Sequence, residues 1–173
     1  MAKNCLSKIS TNIDTNCVMP VHGIKELYLM HVADVTWTMS ALNTVSNITF
    51  ATGAKSYRVE GYKQNIQVTA ATRALDASNK LDVSVTFKTH GADFTNINAI
   101  LSGSFYVMVV YNTLDIDPQA IGLISPLECS SVDYDSNANG MRMTITLTAP
   151  DGSAGNYLTP VGSVAAATIK SKA

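Results

Sequence analysis

Three histidines, His22, His31 and His90, are the residues of this 173-residue chain best suited to acid–base chemistry. Nucleophilic catalysis needs a nucleophile beside a base, and a third group that orients the base. His31 lies inside the apolar run of residues 24–32, which favours a hydrogen-bonded imidazole in a core or an interface over a general base. The spacing of the remaining residue types matches no catalytic arrangement, so we expect a protein that is not an enzyme.

The cysteines, Cys5, Cys17 and Cys129, could bind a metal or form a disulfide. Cys5 and Cys17 could ligate zinc together with His22, but zinc sites rely on a close pair of cysteines that this spacing lacks. An odd number of cysteines cannot pair completely within one chain. Residues 1–8 contain no apolar stretch typical of a signal peptide, so a cytosolic product with three reduced thiols is expected.

Two acidic pairs, Asp115 with Asp117 and Asp133 with Asp135, could supply oxygen ligands to calcium. A calcium loop needs several convergent oxygens and a terminal Glu, which neither pair has. Both pairs flank predicted turns, where Asp commonly bonds its own backbone. The glycine-rich residues 152–155 lack the Lys that follows a phosphate-binding loop. The sequence therefore predicts no metal and no cofactor.

One tryptophan and three tyrosines, Trp37, Tyr28, Tyr57 and Tyr62, could form a platform on which sugar rings stack. Aromatic side chains also anchor ordinary cores and interfaces, and that interpretation is favoured here. A carbohydrate-binding module that recognises host surface glycans is therefore kept as an alternative.

The elements that must position these residues are mainly strands. Residues 81–89 and 141–148 alternate apolar and polar side chains, as half-buried strands do, because successive side chains point to opposite faces of a sheet. The polar positions are mostly Ser and Thr, and only 14% of the chain is charged, against about 25% in an average soluble domain. Hydroxyl groups tolerate burial against another protein better than charges do. We interpret this pattern as a β-domain packed among neighbouring subunits.

Further segments extend the predicted sheet. Residues 66–72 and 81–89 are expected to pair as a hairpin, because turn residues separate them. Residues 104–111 are apolar on both faces, which is typical of a central strand. The small residues of the segment 164–170 are interpreted as a final strand.

One segment, residues 93–102, changes to a helical spacing. Asp93 is a natural N-cap and Gly103 a natural stop. The side chains on its predicted apolar face are Phe94, Ile97, Ile100 and Leu101. The prediction is thus an all-β fold, mainly an antiparallel β-sandwich or barrel, with one short α-helix near residues 93–102. Residues 1–173 are expected to form a single domain, with residues 1–23 as an extended arm.

The overall charge and hydropathy exclude some functional classes. The formal net charge is -1, and no run of basic residues provides the electrostatic footprint of a non-specific nucleic-acid binder. No apolar run approaches the roughly 20 residues of a membrane-spanning helix. With no catalytic arrangement, the function is expected to reside in the surfaces of the protein.

Two segments carry a family resemblance. Residues 5–9 and 17–29, with Gly-Ile-Lys-Glu-Leu-Tyr-Leu at 23–29, are similar to the start of small virion proteins of tailed phages that infect Bacteroidales, including crAss-like phages. Residues 137–149, where Asn-Ala-Asn-Gly precedes an alternating strand, resemble the closing turn and strand of the same proteins.

The resemblance implies a fold and a role. Members of that group look like tail-tube or tail-ring components, in which β-sandwich or barrel subunits with one helix form rings around a DNA channel. It implies a non-enzymatic virion protein, a tail-tube or tail-ring/connector subunit that forms a homo-oligomeric ring. The implied partners are further copies, neighbouring virion proteins and, transiently, phage DNA passing the channel, with no membrane. The implied location is the virion, assembled in the host bacterial cytoplasm, and a capsid decoration or head-fibre protein is the alternative within it.

Overall fold

The computed structural model describes residues 23–40, 43–60, 65–72, 81–90, 97–111, 118–134, 137 and 142–173. Eleven strands and two α-helices lie in these ranges, with a 3-10 turn at Val32–Asp34. The strands are β1 (Ile24–His31), β2 (Val35–Met39), β3 (Val45–Phe50), β4 (Tyr57–Glu60), β5 (Ile66–Thr72), β6 (Leu81–His90), β7 (Ser104–Tyr111), β8 (Gln119–Ile121), β9 (Leu127–Tyr134), β10 (Arg142–Thr148) and β11 (Thr159–Pro160). The helices are α1 (Ile97–Ser102) and α2 (Ser163–Ser171).

Nine of the described strands form one antiparallel sheet, and β2 and β3 form a separate hairpin. The order across the sheet is β4, β1, β7, β9, β10, β6 and β5, while β8 pairs with the second half of β7 and carries β11 on its other side. The antiparallel β class is therefore confirmed. The predicted hairpin of residues 66–72 and 81–89 is also confirmed, as β5 and β6.

The inward side chains of this sheet form one interior cluster. Every second side chain of β6 and of β10 is apolar, and these side chains point into the interior cluster because successive residues of a strand face opposite sides of the sheet. β1 contacts β5, so the sheet bends round and brings these distant strands together over the cluster. The interior cluster consists of Ile24, Leu27, Leu29, Ile66, Val83, Val85, Phe87, Phe105, Val107, Val109, Ile121, Leu127, Met143, Ile145 and Leu147.

The strands β1 and β7 are buried on both faces. Residues 104–111, predicted to be a central strand, form β7, which has β1 on one side and β8 and β9 on the other. The β2–β3 hairpin and α2 cover the outward face of β1 and β7. The resulting outer cluster consists of Tyr28, Met30, Val35, Val45, Ile48, Met108, Ala120, Val161, Ala165, Ala166 and Ile169.

The strand predicted at residues 164–170 is wrong, because this segment forms the helix α2. Ala165, Ala166 and Ile169 are its buried residues, and their spacing places them on one helical face. Alanine has the highest helix propensity, and three alanines follow one another here. The alanines therefore favour a helix, and their small side chains let it pack closely against the sheet.

The helix predicted at residues 93–102 is present as α1 from Ile97, while Asp93 and Phe94 lie outside the described residues. Ile100 packs against the interior cluster, but Leu101 is 53% exposed, so its expected place on the buried face is wrong. The stop at Gly103 is explained by space. A Cβ atom there would lie 2.5 Å from Cζ of Phe105 and 2.7 Å from the carbonyl oxygen of Ala99.

Buried Asn156 joins two distant loops to the sheet. Its side-chain amide accepts a hydrogen bond from the backbone N–H of Ser125 (3.1 Å) and donates one to the Ser125 carbonyl (3.0 Å). Its own backbone N–H and carbonyl exchange hydrogen bonds with Leu81, both 2.9 Å long. Asn156 thereby continues the pairing along β6 beyond the point where β10 ends.

Replacement of one buried residue of α2 tests its packing on the sheet. Ile169 is fully buried, so Ile169→Ala should lower the free energy of unfolding by about 2–5 kcal/mol. Val164, on the same helix, is 65% exposed, and Val164→Ala should change it by less than about 0.5 kcal/mol. Denaturant unfolding followed by circular dichroism measures both. Equal losses for the two variants would contradict the placement of α2.

Candidate interaction surface

The outward side chains of β5, β6, β10 and β9 form a face of hydroxyl and amide groups, called here the hydroxyl face. The register aligns Thr69 with Ser84 and Thr148 in one row across the strands. The next row aligns Gln67, Thr86, Thr146 and Ser131. The hydroxyl face consists of Gln67, Thr69, Ser84, Thr86, Ser131, Thr144, Thr146 and Thr148.

Charged side chains border this face on three sides. Asp82 lies opposite Ala71 at one end, and Lys88 and Asp133 flank Thr144 at the other. Glu128 lies beside Thr148 at the β9 side. The centre of the face is uncharged, and depletion of charged residues at the centre is one feature that it shares with protein interfaces.

Thr86 and Thr146 lie at the centre of the hydroxyl face and are both half-buried. Their Oγ1 atoms are 3.2 Å apart, so one hydroxyl donates to the other. Each hydroxyl has one donor hydrogen and two acceptor lone pairs. After this single bond the pair still offers one donor and several lone pairs to a partner surface.

The two described histidines, His31 and His90, lie on different strands. His31 is half-buried, and its ring lies 4.6 Å from the ring of Phe105 and 6.2 Å from that of Tyr57. His90 ends β6, and His22 lies outside the described residues. His31 is thus packed against two aromatic rings.

Within the described ranges, no three His, Cys, Asp or Glu side chains converge in a way that could hold a metal ion. Cys129 is a free, half-buried thiol whose pKa is raised by burial. Asp133 is exposed on β9 rather than in a turn. The other candidate ligands, Cys5, Cys17, Asp115, Asp117 and Asp135, lie outside the described residues.

The described aromatic candidates for sugar stacking do not share one exposed surface. Tyr28 is 3% exposed within the outer cluster, whereas Tyr57 is 50% exposed and lies opposite Leu29 of the interior cluster. The Trp37 ring meets Tyr106 edge-on at 5.4 Å, and its buried Nε1 has no hydrogen-bond partner among the described residues. Tyr62 lies outside those residues.

A charge cluster that the sequence analysis missed links β1, β4 and α2. Glu26 accepts a 3.1 Å hydrogen bond from the Tyr28 hydroxyl and lies 3.5 Å from Arg58 Nη1 and 3.8 Å from Lys170 Nζ. The Glu26 side chain is only 14% exposed. A cross-strand pairing of Tyr28 with Arg58 brings these groups together, and that register cannot be obtained from local patterns.

No family model, curated protein or solved structure matches this chain. Among the residues that the structure describes, no helix is both long and apolar enough to cross a membrane.

The charge cluster predicts how stability depends on alkaline pH. Burial, followed by the negative charge and hydrogen bond of Glu26, raises the pKa of Tyr28 from 10.0 to about 12. A group whose pKa is higher in the folded state than in the unfolded state stabilises the fold. This contribution is complete below the unfolded-state pKa and is lost as the pH rises through the folded-state pKa. The free energy of unfolding should therefore fall from about pH 10 to about pH 12.

The variant Tyr28→Phe isolates this effect from other titrating groups. Its free energy of unfolding should fall less over the same pH interval. In a titration followed by ultraviolet absorbance, it should also lack one tyrosine that deprotonates only near pH 12. Denaturant unfolding at several pH values gives the first measurement. A pH dependence identical to that of the unsubstituted protein would contradict the assigned environment of Tyr28.

Proposed function

We propose that this chain is a non-enzymatic structural protein that assembles with copies of itself, as a subunit of a tailed-phage virion. The observation that carries the proposal is the hydroxyl face, whose centre is uncharged across four neighbouring strands. An antiparallel sheet can carry a polar face that meets only water. What favours a protein partner is the exclusion of Lys, Arg, Asp and Glu from that centre.

Charged groups and hydroxyl groups differ in what it costs to remove them from water. Removing a charged group from water costs several kcal/mol unless a partner compensates it, whereas a hydroxyl needs only a hydrogen bond. A face with a hydroxyl centre can therefore be covered by another subunit at small cost. The charged residues lie at the border of the face, where they can remain in water. They are Asp82, Lys88, Glu128 and Asp133. Their charges would repel a partner that places like charges beside them.

Within the virion, we assign the chain to the tail tube or to a tail ring or connector. Support comes from the likeness of residues 5–9, 17–29 and 137–149 to small virion proteins of tailed Bacteroidales phages, members of which look like tail components, and from the antiparallel β fold. In this role the subunits form a homo-oligomeric ring whose partners are adjacent virion proteins and, transiently, the passing DNA. Assembly would take place in the host cytoplasm.

Gold-labelled antibodies on purified phage particles test the location. Labels at the tail or at its junction with the head support the assignment. Labels spread over the head would identify a capsid decoration or head-fibre protein instead, and a protein absent from the particles would refute a virion role.

Substitution of adjacent residues on β6 tests the use of the hydroxyl face. Thr86→Asp places a charge at the half-buried centre of the face, so assembly should weaken while the subunit stays folded. Val85→Asp puts a carboxylate into the interior cluster and should destabilise the fold by several kcal/mol. Circular dichroism measures folding, and light scattering with electron microscopy of rings measures assembly.

A matched control is Thr52→Asp, which adds the same charge at an exposed turn outside the face. Its assembly should equal that of the unsubstituted protein. If Thr86→Asp also assembles normally, the hydroxyl face is simply solvated and the observation that carries the proposal fails.

A further inference from the structure

Three strands of the large sheet pair with a single neighbour among the described residues, and two of these edges are protected. β4 carries Arg58 and Glu60, and the residue before it, Ser56, donates hydrogen bonds to the carbonyls of Ile169 and Lys172. β11 has two residues, one of which is Pro160. Charges, proline and short length are the usual means of preventing edge-to-edge pairing.

The third edge, β5, carries none of these protections. Its sequence from Ile66 to Thr72 is Ile-Gln-Val-Thr-Ala-Ala-Thr, with no charge, no proline and no glycine. Its register on β6 runs over all seven residues without a bulge. Residues 69–72 are exposed. The strand thus has an uncharged edge that pairs with no other described strand.

The direction of the β5 backbone groups follows from two hydrogen-bond patterns. The Lys88 N–H donates to the Asn65 carbonyl (3.0 Å), so this pair is hydrogen-bonded, and alternate pairs must be as well. Leu81, opposite Thr72, instead exchanges both of its bonds with Asn156. It follows that the N–H and C=O groups of Val68, Ala70 and Thr72 point away from β6.

A second copy of the same chain is a compatible partner for this edge. Two uncharged strands meet without opposing like charges. An antiparallel pair formed through Val68, Ala70 and Thr72 keeps Gln67 and Thr69 of both copies on the same side. The hydroxyl face then continues from one copy into the next.

We propose that β5 pairs antiparallel with β5 of a second copy, through the outward groups of Val68, Ala70 and Thr72, and joins two sheets into one. The inference rests on the proposed function only in taking another copy of the chain as the partner. It names the edge through which that copy binds, whereas the hydroxyl face is a separate surface.

Substitution at Ala70 separates the edge from the fold. Ala70→Pro removes one outward N–H and no bond to β6, and edge strands accept proline. We expect a folded chain whose self-association, measured by sedimentation, is at least about tenfold weaker. Ala70→Ser keeps the N–H and should associate like the unsubstituted protein.

Amide hydrogen exchange of the unsubstituted chain gives a measurement that needs no variant. The amides of Val68, Ala70 and Thr72 should exchange about tenfold more slowly at high than at low protein concentration. Those of Gln67, Thr69 and Ala71 face β6 and should change little. This pattern decides the question even if Ala70→Pro fails to fold.

The outcomes distinguish the two proposals. If the protein associates while the outward amides exchange at the same rate at every concentration, β5 pairing is overturned and assembly through the hydroxyl face stands. If the protein is monomeric at all concentrations, both are overturned. Weaker association of Ala70→Ser and Ala70→Pro alike would also refute a role for the backbone edge.

Discussion

The burial of β1 and β7 on both faces is the constraint on which the rest of the structure depends. Leu27 and Leu29 of β1 enter the interior cluster, while Tyr28 and Met30 enter the outer cluster. A slip of one residue in the β1–β7 register would exchange these two sets. A register shift near Ile24 adjusts the start of β1, so that Ile24 faces inward and Glu26 outward beside Tyr28.

The outward side of the sheet is divided into two regions of different chemistry. Over β1 and β7 it is apolar and is covered by the chain's own hairpin and α2. Over β5, β6, β10 and β9 it is the hydroxyl face, bordered by charges. The first region is stabilised within the subunit. The second is the surface through which we propose that subunits meet, and it ends at the β5 edge, through which we propose that the sheet is continued.

Much of the sheet could be predicted because its strands have a clear period. Val83, Val85 and Phe87 alternate with Ser84 and Thr86, so both the interior side and the hydroxyl side of β6 follow from the sequence. The alignment of that side with Gln67 and Ser131 could not be predicted, since it depends on pairing between distant segments. α2 was mistaken for a strand because short runs of small residues have no decisive period, and β9 was not predicted because its pattern is mixed. The Glu26 cluster depends on three elements and leaves no local signal.

The position of α2 in the chain has a consequence for synthesis. Ile24 pairs with Tyr111, and the outward face of β1 is covered by a helix that follows every strand. β1 therefore leaves the ribosome long before β7 and α2 are available, and only β4 among its paired strands follows soon after it. Folding that depends on such distant pairings is slow, and unpaired apolar strands are prone to aggregate in the interval. The nascent chain therefore lacks the β7 and α2 contacts of Met30 until translation has passed α2, although the β2–β3 hairpin is made earlier. We expect the yield of folded protein to depend on translation rate and on chaperones.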